Sequence, residues 1–275
     1  MRTKWKMGWL LKGNEEEAAM VKQIGIGLLL ALQFFSTFPV KKNLPMNKSH
    51  VNAMFIQLPL IGLLFGGIMV AAAHMLRETA TTGSLLLAFL IVLLSLVMSG
   101  GLHMDGLADV ADAYFSYQEK EKRLEIMGDP RIGAFGAMAL ILTITGKIII
   151  VSETILLVPI WVILFIPVLS RIGLLLLFSS TPSAKTSGLA AFFQNTADKK
   201  KLAGAGLLWL VITLSAAAIL VSLQIALAFL ILIILGTLFY RQWCRKNFGG
   251  VTGDLFGTYV EGAELLLWTM LLFFI

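Results

Sequence analysis

Residues 203–240 decide the class of fold, because they read AGAGLLWLVITLSAAAILVSLQIALAFLILIILGTLFY and contain no charged side chain. As one helix they would be roughly 57 Å long at ~1.5 Å per residue, about twice the ~30 Å hydrocarbon core of a bilayer. The stretch therefore predicts two membrane-spanning helices, 203–221 and 225–240, that fold back at 222–224.

The rest of the chain has the same character. Of its 275 residues, 58% are hydrophobic and only 14% are charged, whereas soluble domains carry about 25% charged residues. The mean hydropathy is +0.87. This composition excludes an ordinary soluble enzyme, a disordered chain and a fibrous repeat, and the single cysteine, Cys244, cannot form an internal disulfide.

Further apolar runs are long enough to cross a bilayer. They are 53–76, 84–102, 132–151 and 155–178, with a turn expected at 152–154, and the acid-bearing stretch 254–275 is just long enough. The sequence therefore predicts an all-α polytopic membrane protein with a bundle of about six to seven transmembrane helices.

Basic residues predict the sidedness of these helices. Of the 22 Lys and Arg, 19 fall in alternate connections, which the positive-inside rule places in the cytoplasm. The net charge of +6 is thereby explained by topology rather than by nucleic acid. The five basic segments are 1–23, 41–52, 103–131, 180–202 and 241–253. We expect a multi-pass protein of the cell membrane.

The amino-terminal part needs a separate assignment. If 24–38 crossed the membrane, the basic segments on either side of it would lie on opposite faces, so we interpret it as a re-entrant or interfacial segment. Residues 1–23, with Trp5 and Trp9 among lysines, resemble an interfacial anchor. We divide the chain into this basic tail, 1–23, and a single integral membrane catalytic domain, 24–275.

Acidic residues concentrate in one predicted cytoplasmic connection. Segment 103–131 holds seven of the 16 acids, and Asp105, Asp109 and Asp112 are spaced so that a helix presents them within an arc of roughly 60°. Carboxylates this close repel one another unless a cation lies between them, and carboxylate oxygens are typical ligands of Mg²⁺ that also binds substrate phosphates. The pattern favours a metal and phosphate site over a solvated acidic face. His103 is a candidate general base, with a structural hydrogen-bonding role as the alternative.

Two other clusters carry polar chemistry. In 249–254, Thr252 or Asp254 can cap a helix whose glycine-rich amino end binds an anion, the alternative being an ordinary loop and capped helix. The loop 183–189 carries one cation, Lys185, and favours a solvated loop when judged alone. Arg171 lies within an apolar run, where a charge faces the bundle interior and binds phosphate or forms a structural ion pair.

Four stretches in the same order resemble the cobalamin synthase (adenosylcobinamide-GDP ribazoletransferase) family. They are Gly100 to Asp112 (GGLHMDGLADVAD), Leu124 to Gly136 (LEIMGDPRIGAFG), the loop Ala184 to Leu189, and Gly249 to Asp254 with Glu261 and Glu264. An early FFSTFP at 34–39 also resembles the family, and the likeness runs from about residue 24 to the end. Lys185 stands where the family is expected to have Arg, and Ala113 where Gly is common.

The resemblance implies an enzyme for the last step of nucleotide-loop assembly. Adenosylcobinamide-GDP and α-ribazole, or its 5′-phosphate, would give adenosylcobalamin, or its 5′-phosphate, and GMP, with Mg²⁺ required. We expect metal binding by Asp105, Asp109, Asp112, Asp129 and Asp254. We expect substrate binding by Arg131, Lys185, Arg171, Thr252 and Gly253, and proton transfer by one of the acids or His103.

Two other functions fit parts of the pattern. Lipid synthases that release a nucleoside monophosphate also place aspartates on membrane helices, but their motif has another spacing with an Arg inside it, and no Arg lies between Asp105 and Asp112. A cation or cobamide transporter would hold its acids near the bilayer midplane, whereas these are predicted at one face. The sequence leaves open whether the protein acts as a homo-oligomer.

Overall fold

The computed structural model describes the backbone of residues 2–79 and 83–275, and side chains within 17–78 and 83–275. These residues form helices and no sheet, which confirms the predicted all-α class. In chain order the helices are α1 (Arg2–Phe35), α2 (Lys48–Ile56), α3 (Leu58–Thr79), α4 (Ser84–Ser99), α5 (Leu102–Phe115), α6 (Lys120–Ile126), α7 (Ala134–Thr154), α8 (Trp161–Ser180), α9 (Leu189–Thr196), α10 (Lys199–Leu220), α11 (Leu223–Phe248) and α12 (Gly253–Leu271).

Several of these helices are long and apolar enough to cross a membrane. Among the described residues there are five such spans, namely the joined pair α2–α3 (Lys48–Glu78), α7, α8, α10 and α11, and a sixth if α4 and α5 are counted as one broken span. The polytopic architecture is therefore confirmed. Helix α12 is also long, but it carries three carboxylates, Asp254, Glu261 and Glu264, which explains why it falls outside this apolar set.

The predicted turn at 222–224 is confirmed, since α10 ends at Leu220 and the Ser222 hydroxyl accepts a hydrogen bond from the Ile225 amide at 3.1 Å. The predicted turn at 152–154 is wrong. The hydroxyls of Ser152 and Thr154 donate to main-chain carbonyls one turn earlier in α7, so these polar residues are satisfied inside the helix. The chain reverses instead at 155–160, before α8 begins at Trp161.

The predicted span 84–102 is also interrupted. Gly100 and Gly101 have φ angles of +65° and +73°, a left-handed conformation that glycine adopts without steric cost. They end α4 and turn the chain by 90° into α5. The acids of α5 therefore lie on a helix that crosses the end of α4 rather than continuing it.

Helix α8 forms the centre of the bundle. It contacts α3, α10, α11 and α12, and most of its side chains are buried. The acid-bearing helices lie beside it, with α5 packed against α7 and α12. This arrangement places the polar ends of α5 and α12 next to each other.

The amino-terminal segment 24–38 comprises the end of α1 and the start of the loop that leads to α2, and α1 packs against α2. The re-entrant or interfacial assignment stays a prediction. The interfacial role proposed for residues 1–23 rests largely on side chains of 1–16, which lie outside the described side chains.

Candidate active site

Helices α5 and α12 approach each other closely enough for their backbones to touch. A Cβ added to Gly106 would lie 2.7 Å from the Cα of Asp254. The Thr258 hydroxyl donates a hydrogen bond to the Gly106 carbonyl at 3.1 Å, and Gly257 packs against the backbone of His103. Small residues at the crossing therefore bring the acids of the two helices together.

The loop that precedes α12 is hydrogen-bonded to the loop that follows α8. The Ala184 amide donates to the Val251 carbonyl, and the Val251 amide donates to the Pro182 carbonyl, each at 2.9 Å. Thr252 caps α12, because its hydroxyl oxygen accepts from the Leu255 amide at 3.3 Å. These contacts bring the Lys185 loop and the 249–254 segment, two separate sequence motifs, into one structure.

Three carboxylates and one cation meet where these segments converge. Asp109 lies within electrostatic reach of Asp105, Asp254 and Asp112, which repel its charge, and of Lys185, which offsets part of that repulsion. Asp105 is exposed, whereas Asp109 and Asp254 are half-buried. The Thr252 hydroxyl donates to Asp254 at 3.2 Å and fixes its orientation. We define Asp105, Asp109 and Asp254 as the carboxylate group.

The third acid of α5 has a different position. The two carboxylate oxygens of Asp112 accept hydrogen bonds from the backbone amides of Gly133 and Gly136, at 2.7 and 2.9 Å. These amides belong to the amino end of α7, where a negative charge is favourable. Asp112 therefore joins α5 to the 124–136 motif, and the structure favours a capping role for it.

Asp129 and Arg131 pair with each other. The Arg131 guanidinium donates two hydrogen bonds to the Asp129 carboxylate, at 2.9 and 2.6 Å. These bonds and that of the Arg131 backbone amide lower the pKa of Asp129 to about 2. Arg131 is 87% exposed, so its guanidinium is open to solvent beside the loop.

Arg171 lies in a buried ion pair. Its guanidinium contacts the Glu264 carboxylate and the Ser170 hydroxyl, and it stacks over the Phe65 ring at 5.3 Å. Of the two roles that the sequence left open for Arg171, the structure favours the structural ion pair over phosphate binding. Thr252 and Gly253, in contrast, lie at the amino end of α12 beside the carboxylate group.

The same buried network contains groups that sequence reasoning did not assign. Lys147 of α7 contacts Glu261 and lies 3.1 Å from Glu264, and Glu261 lies 3.8 Å from Nδ1 of His103. The sequence did carry a signal for this network. Two cations, Lys147 and Arg171, and two acids, Glu261 and Glu264, lie inside apolar segments, and their opposite charges balance. The network ties α5, α7, α8 and α12 together, and its member His103 lies two residues before Asp105.

The carboxylate oxygens at the site suit a cation that is also bound by phosphate oxygens of the substrate. In the part of the chain that the structure describes, no three His, Cys, Asp or Glu side chains are arranged to hold a metal ion by themselves. Mg²⁺ typically uses one or two carboxylates together with phosphate oxygens and water. The carboxylate group supplies hard oxygen donors of that kind, with an exposed member at Asp105.

Two cavities adjoin the carboxylate group. The first, here called the aromatic cavity, has a volume of about 210 Å³ and is bordered by His103, Asp105 and Asp254. Its aromatic walls are Phe34, Phe35, Phe55, Phe178, Phe193 and Phe256. The second, here called the open cavity, has a volume of about 440 Å³ and is bordered by Gly100, Gly101, Asp105 and Asp109. The sequence did not reveal the aromatic cavity, because its walls come from distant helices.

Comparison with known proteins agrees with this convergence of motifs. A family model described as cobalamin-5-phosphate synthase matches residues 27–272. A protein of Geobacillus kaustophilus named adenosylcobinamide-GDP ribazoletransferase is 34% identical over 250 residues, covering 90% of this chain and 95% of the relative. Relatives of the same name from Halalkalibacterium halodurans and Vibrio cholerae are 35% and 33% identical, covering 88% and 90% of this chain and 93% of each relative. No solved structure matches the chain. Because the match covers nearly the whole chain, including every segment that forms the site, the protein belongs to the cobalamin-5-phosphate synthase family.

Proposed function

We propose that the protein transfers the phosphoryl-cobinamide group of adenosylcobinamide-GDP to α-ribazole or its 5′-phosphate, and releases GMP. The name of the relatives, adenosylcobinamide-GDP ribazoletransferase, supports these substrates. The observation that carries the proposal is the meeting of the carboxylate group and Lys185, since three distant sequence segments are folded together to form it and Asp112 joins a fourth, 124–136, to α5.

The reaction needs the charge pattern that these residues provide. A ribose hydroxyl oxygen of ribazole forms a bond to the phosphorus nearer the cobinamide, the bond from that phosphorus to the GMP oxygen breaks, and the hydroxyl proton is lost. Such transfers depend on positioning and on electrostatic stabilisation of phosphate oxygens. Lys185 and the amino end of α12 at Thr252 and Gly253 would bind the negatively charged phosphates.

We propose Mg²⁺ as the cofactor, held by one or two members of the carboxylate group, Asp105, Asp109 and Asp254, together with phosphate oxygens of the substrate. When bound, it would neutralise the phosphate oxygens that face the carboxylates. Without a cation, the acids would repel the diphosphate. Asp105 and His103 both border the aromatic cavity, and either one places a proton acceptor beside an incoming hydroxyl.

We place the reaction at the cytoplasmic face of the cell membrane. Basic residues support this assignment, because Lys185, Arg131 and the 241–253 segment all belong to connections that the positive-inside rule assigns to the cytoplasm. Cysteine labelling at position 118, in the loop between α5 and α6, should occur only from the cytoplasm. Labelling from outside would invert this topology.

The test supplies both substrates and Mg²⁺ to the purified protein in liposomes and follows GMP and cobamide by mass spectrometry. We expect equal amounts of the two products, and none in EDTA. Undiminished turnover in EDTA would overturn the cofactor, and movement of cobamide across the liposome without GMP release would favour a transporter.

A further inference from the structure

The aromatic cavity has walls suited to a flat, apolar ring system. Phe55 and Phe178 are both almost fully buried and stack with ring centroids 3.9 Å apart. Phe193 meets Phe34 and Phe55 edge-on, at 5.3 and 5.7 Å. Because Phe55 and Phe178 cover one face of each other, the cluster offers ring edges and outer faces to an inserted ring.

The size of the cavity admits a fused bicyclic ring. An apolar cavity of about 150 Å³ accepts benzene, and the aromatic cavity, at about 210 Å³, is larger. Its charged or ionisable walls are His103, Asp105 and Asp254, and the remaining walls are apolar side chains and glycines.

The two substrates carry bases of different polarity. Guanine has donors and acceptors on most of its edges, and the three ionisable side chains of the cavity cannot pair with all of them, so burying guanine among the phenylalanines is costly. The base of ribazole is a benzimidazole, which has an apolar ring edge and few polar atoms. The aromatic cavity therefore suits the ribazole base and disfavours guanine.

The open cavity has the complementary character. Asp105 and Asp109 are its two charged walls, and the other walls are the glycines Gly100 and Gly101 and the apolar residues Leu102, Ala108, Pro130, Ile132 and Leu140. With the proposed Mg²⁺ on these carboxylates, the cavity would suit a hydrated, charged group such as a diphosphate. Asp105 and Leu102 border both cavities, so the two meet at the exposed member of the carboxylate group.

We infer that the aromatic cavity binds the benzimidazole base of ribazole, that the open cavity receives the diphosphate of the second substrate, and that Asp105 marks where hydroxyl and phosphorus meet. This assignment rests on the proposed function and adds the location of each substrate. The ribose then lies between the phenylalanine walls and the carboxylate group.

The experiment uses one substitution that fills the aromatic cavity and one that removes part of its aromatic wall. Ala190→Phe fills it from a half-buried position on its wall, and Phe193→Leu removes an aromatic edge. Phe239→Leu, at a 72% exposed position of α11 outside the aromatic cavity, is the matched control. The KM of each substrate is measured separately in proteoliposomes, and binding of ribazole alone is measured by calorimetry.

We expect Ala190→Phe and Phe193→Leu each to raise the KM for ribazole and weaken its binding by roughly tenfold, with the KM for adenosylcobinamide-GDP changed less than about twofold. The unchanged second KM also shows that the variants fold. The control should alter neither KM. Unchanged ribazole binding in both cavity variants, or a rise confined to the KM for adenosylcobinamide-GDP, would overturn the inference.

Failure of the proposed function gives a different result. In that case the wild-type protein forms no GMP and cobamide, whereas the ribazole calorimetry still decides the cavity assignment. Ribazole binding that weakens only in the cavity variants supports the assignment, and wild-type protein that binds no ribazole overturns it.

Discussion

Gly106 of α5 and Asp254 of α12 touch backbone to backbone, because a Cβ on Gly106 would lie only 2.7 Å from both the Cα and the carbonyl oxygen of Asp254. The atoms in the way are main chain and cannot rotate aside. The distance between the acids on these two helices is therefore set by the missing side chain at Gly106.

Gly106→Ala should reduce turnover by about 100-fold, because it pushes Asp254 away from Asp105 and a displacement near 1 Å can cost that much. Turnover is followed as GMP release. Gly204→Ala is the control, since Gly204 is exposed in α10 and an added Cβ there meets nothing within 4 Å. Equal activity in the two variants would show that the crossing does not position the acids.

Asp105→Asn should abolish turnover while the protein keeps its thermal stability, because the side chain is exposed and the substitution keeps its size. The change removes a charge that the proposed Mg²⁺ requires. Activity and thermal unfolding are measured on the same preparation. Full activity in the variant would remove Asp105 from the metal site.

Asp112→Ala should lower the free energy of unfolding by about 1–2 kcal/mol, because the amides of Gly133 and Gly136 lose their acceptor at the start of α7. Asp112→Asn keeps one acceptor oxygen and should cost less. Glu119→Ala is the control, since Glu119 precedes α6 without a side-chain capping bond. Unaltered stability with loss of activity in Asp112→Asn would favour the metal role instead.

Arg171→Met should destabilise the protein by about 3 kcal/mol, because it leaves Glu264 buried with one of its two cationic partners removed. The double variant Arg171→Met with Glu264→Gln should recover part of that loss, since the unpaired charge is gone. Lys122→Met, in an exposed pair with Glu125, should cost less than about 1 kcal/mol. Thermal unfolding in one detergent compares all three.

Local patterns predicted the helices and the grouping of the acids. Apolar length predicted where helices exist, and the four- and three-residue spacing placed Asp105, Asp109 and Asp112 on one helix. The ends of the helices were less predictable. Ser152 and Thr154 do not end α7, because their hydroxyls donate hydrogen bonds to carbonyls of the same helix. The helix propensity of serine and threonine does not show whether they end a helix or continue it.

Contacts between residues that lie far apart in the sequence were the main feature of the site that could not be predicted. Asp112 is bound by amides 21 and 24 residues further on, so its spacing with Asp105 and Asp109 did not reveal its cap. Glu264 meets Lys147 and Arg171 only through the packing of three helices. The phenylalanines of the aromatic cavity likewise gather from several helices and carry no local signature.

The buried pairing of α12 with α7 and α8 also constrains how the protein enters the bilayer. Glu261 and Glu264 would be costly for a lone helix to carry into lipid, whereas Lys147 and Arg171 neutralise them in the finished bundle. Helices α7 and α8 precede α12 in the chain, so the ribosome delivers both cations before the acids emerge. We therefore expect α12 to be stable in the membrane only once it packs against α7 and α8, and a chain that lacks either cation to leave more of its carboxyl-terminal helix outside the bilayer.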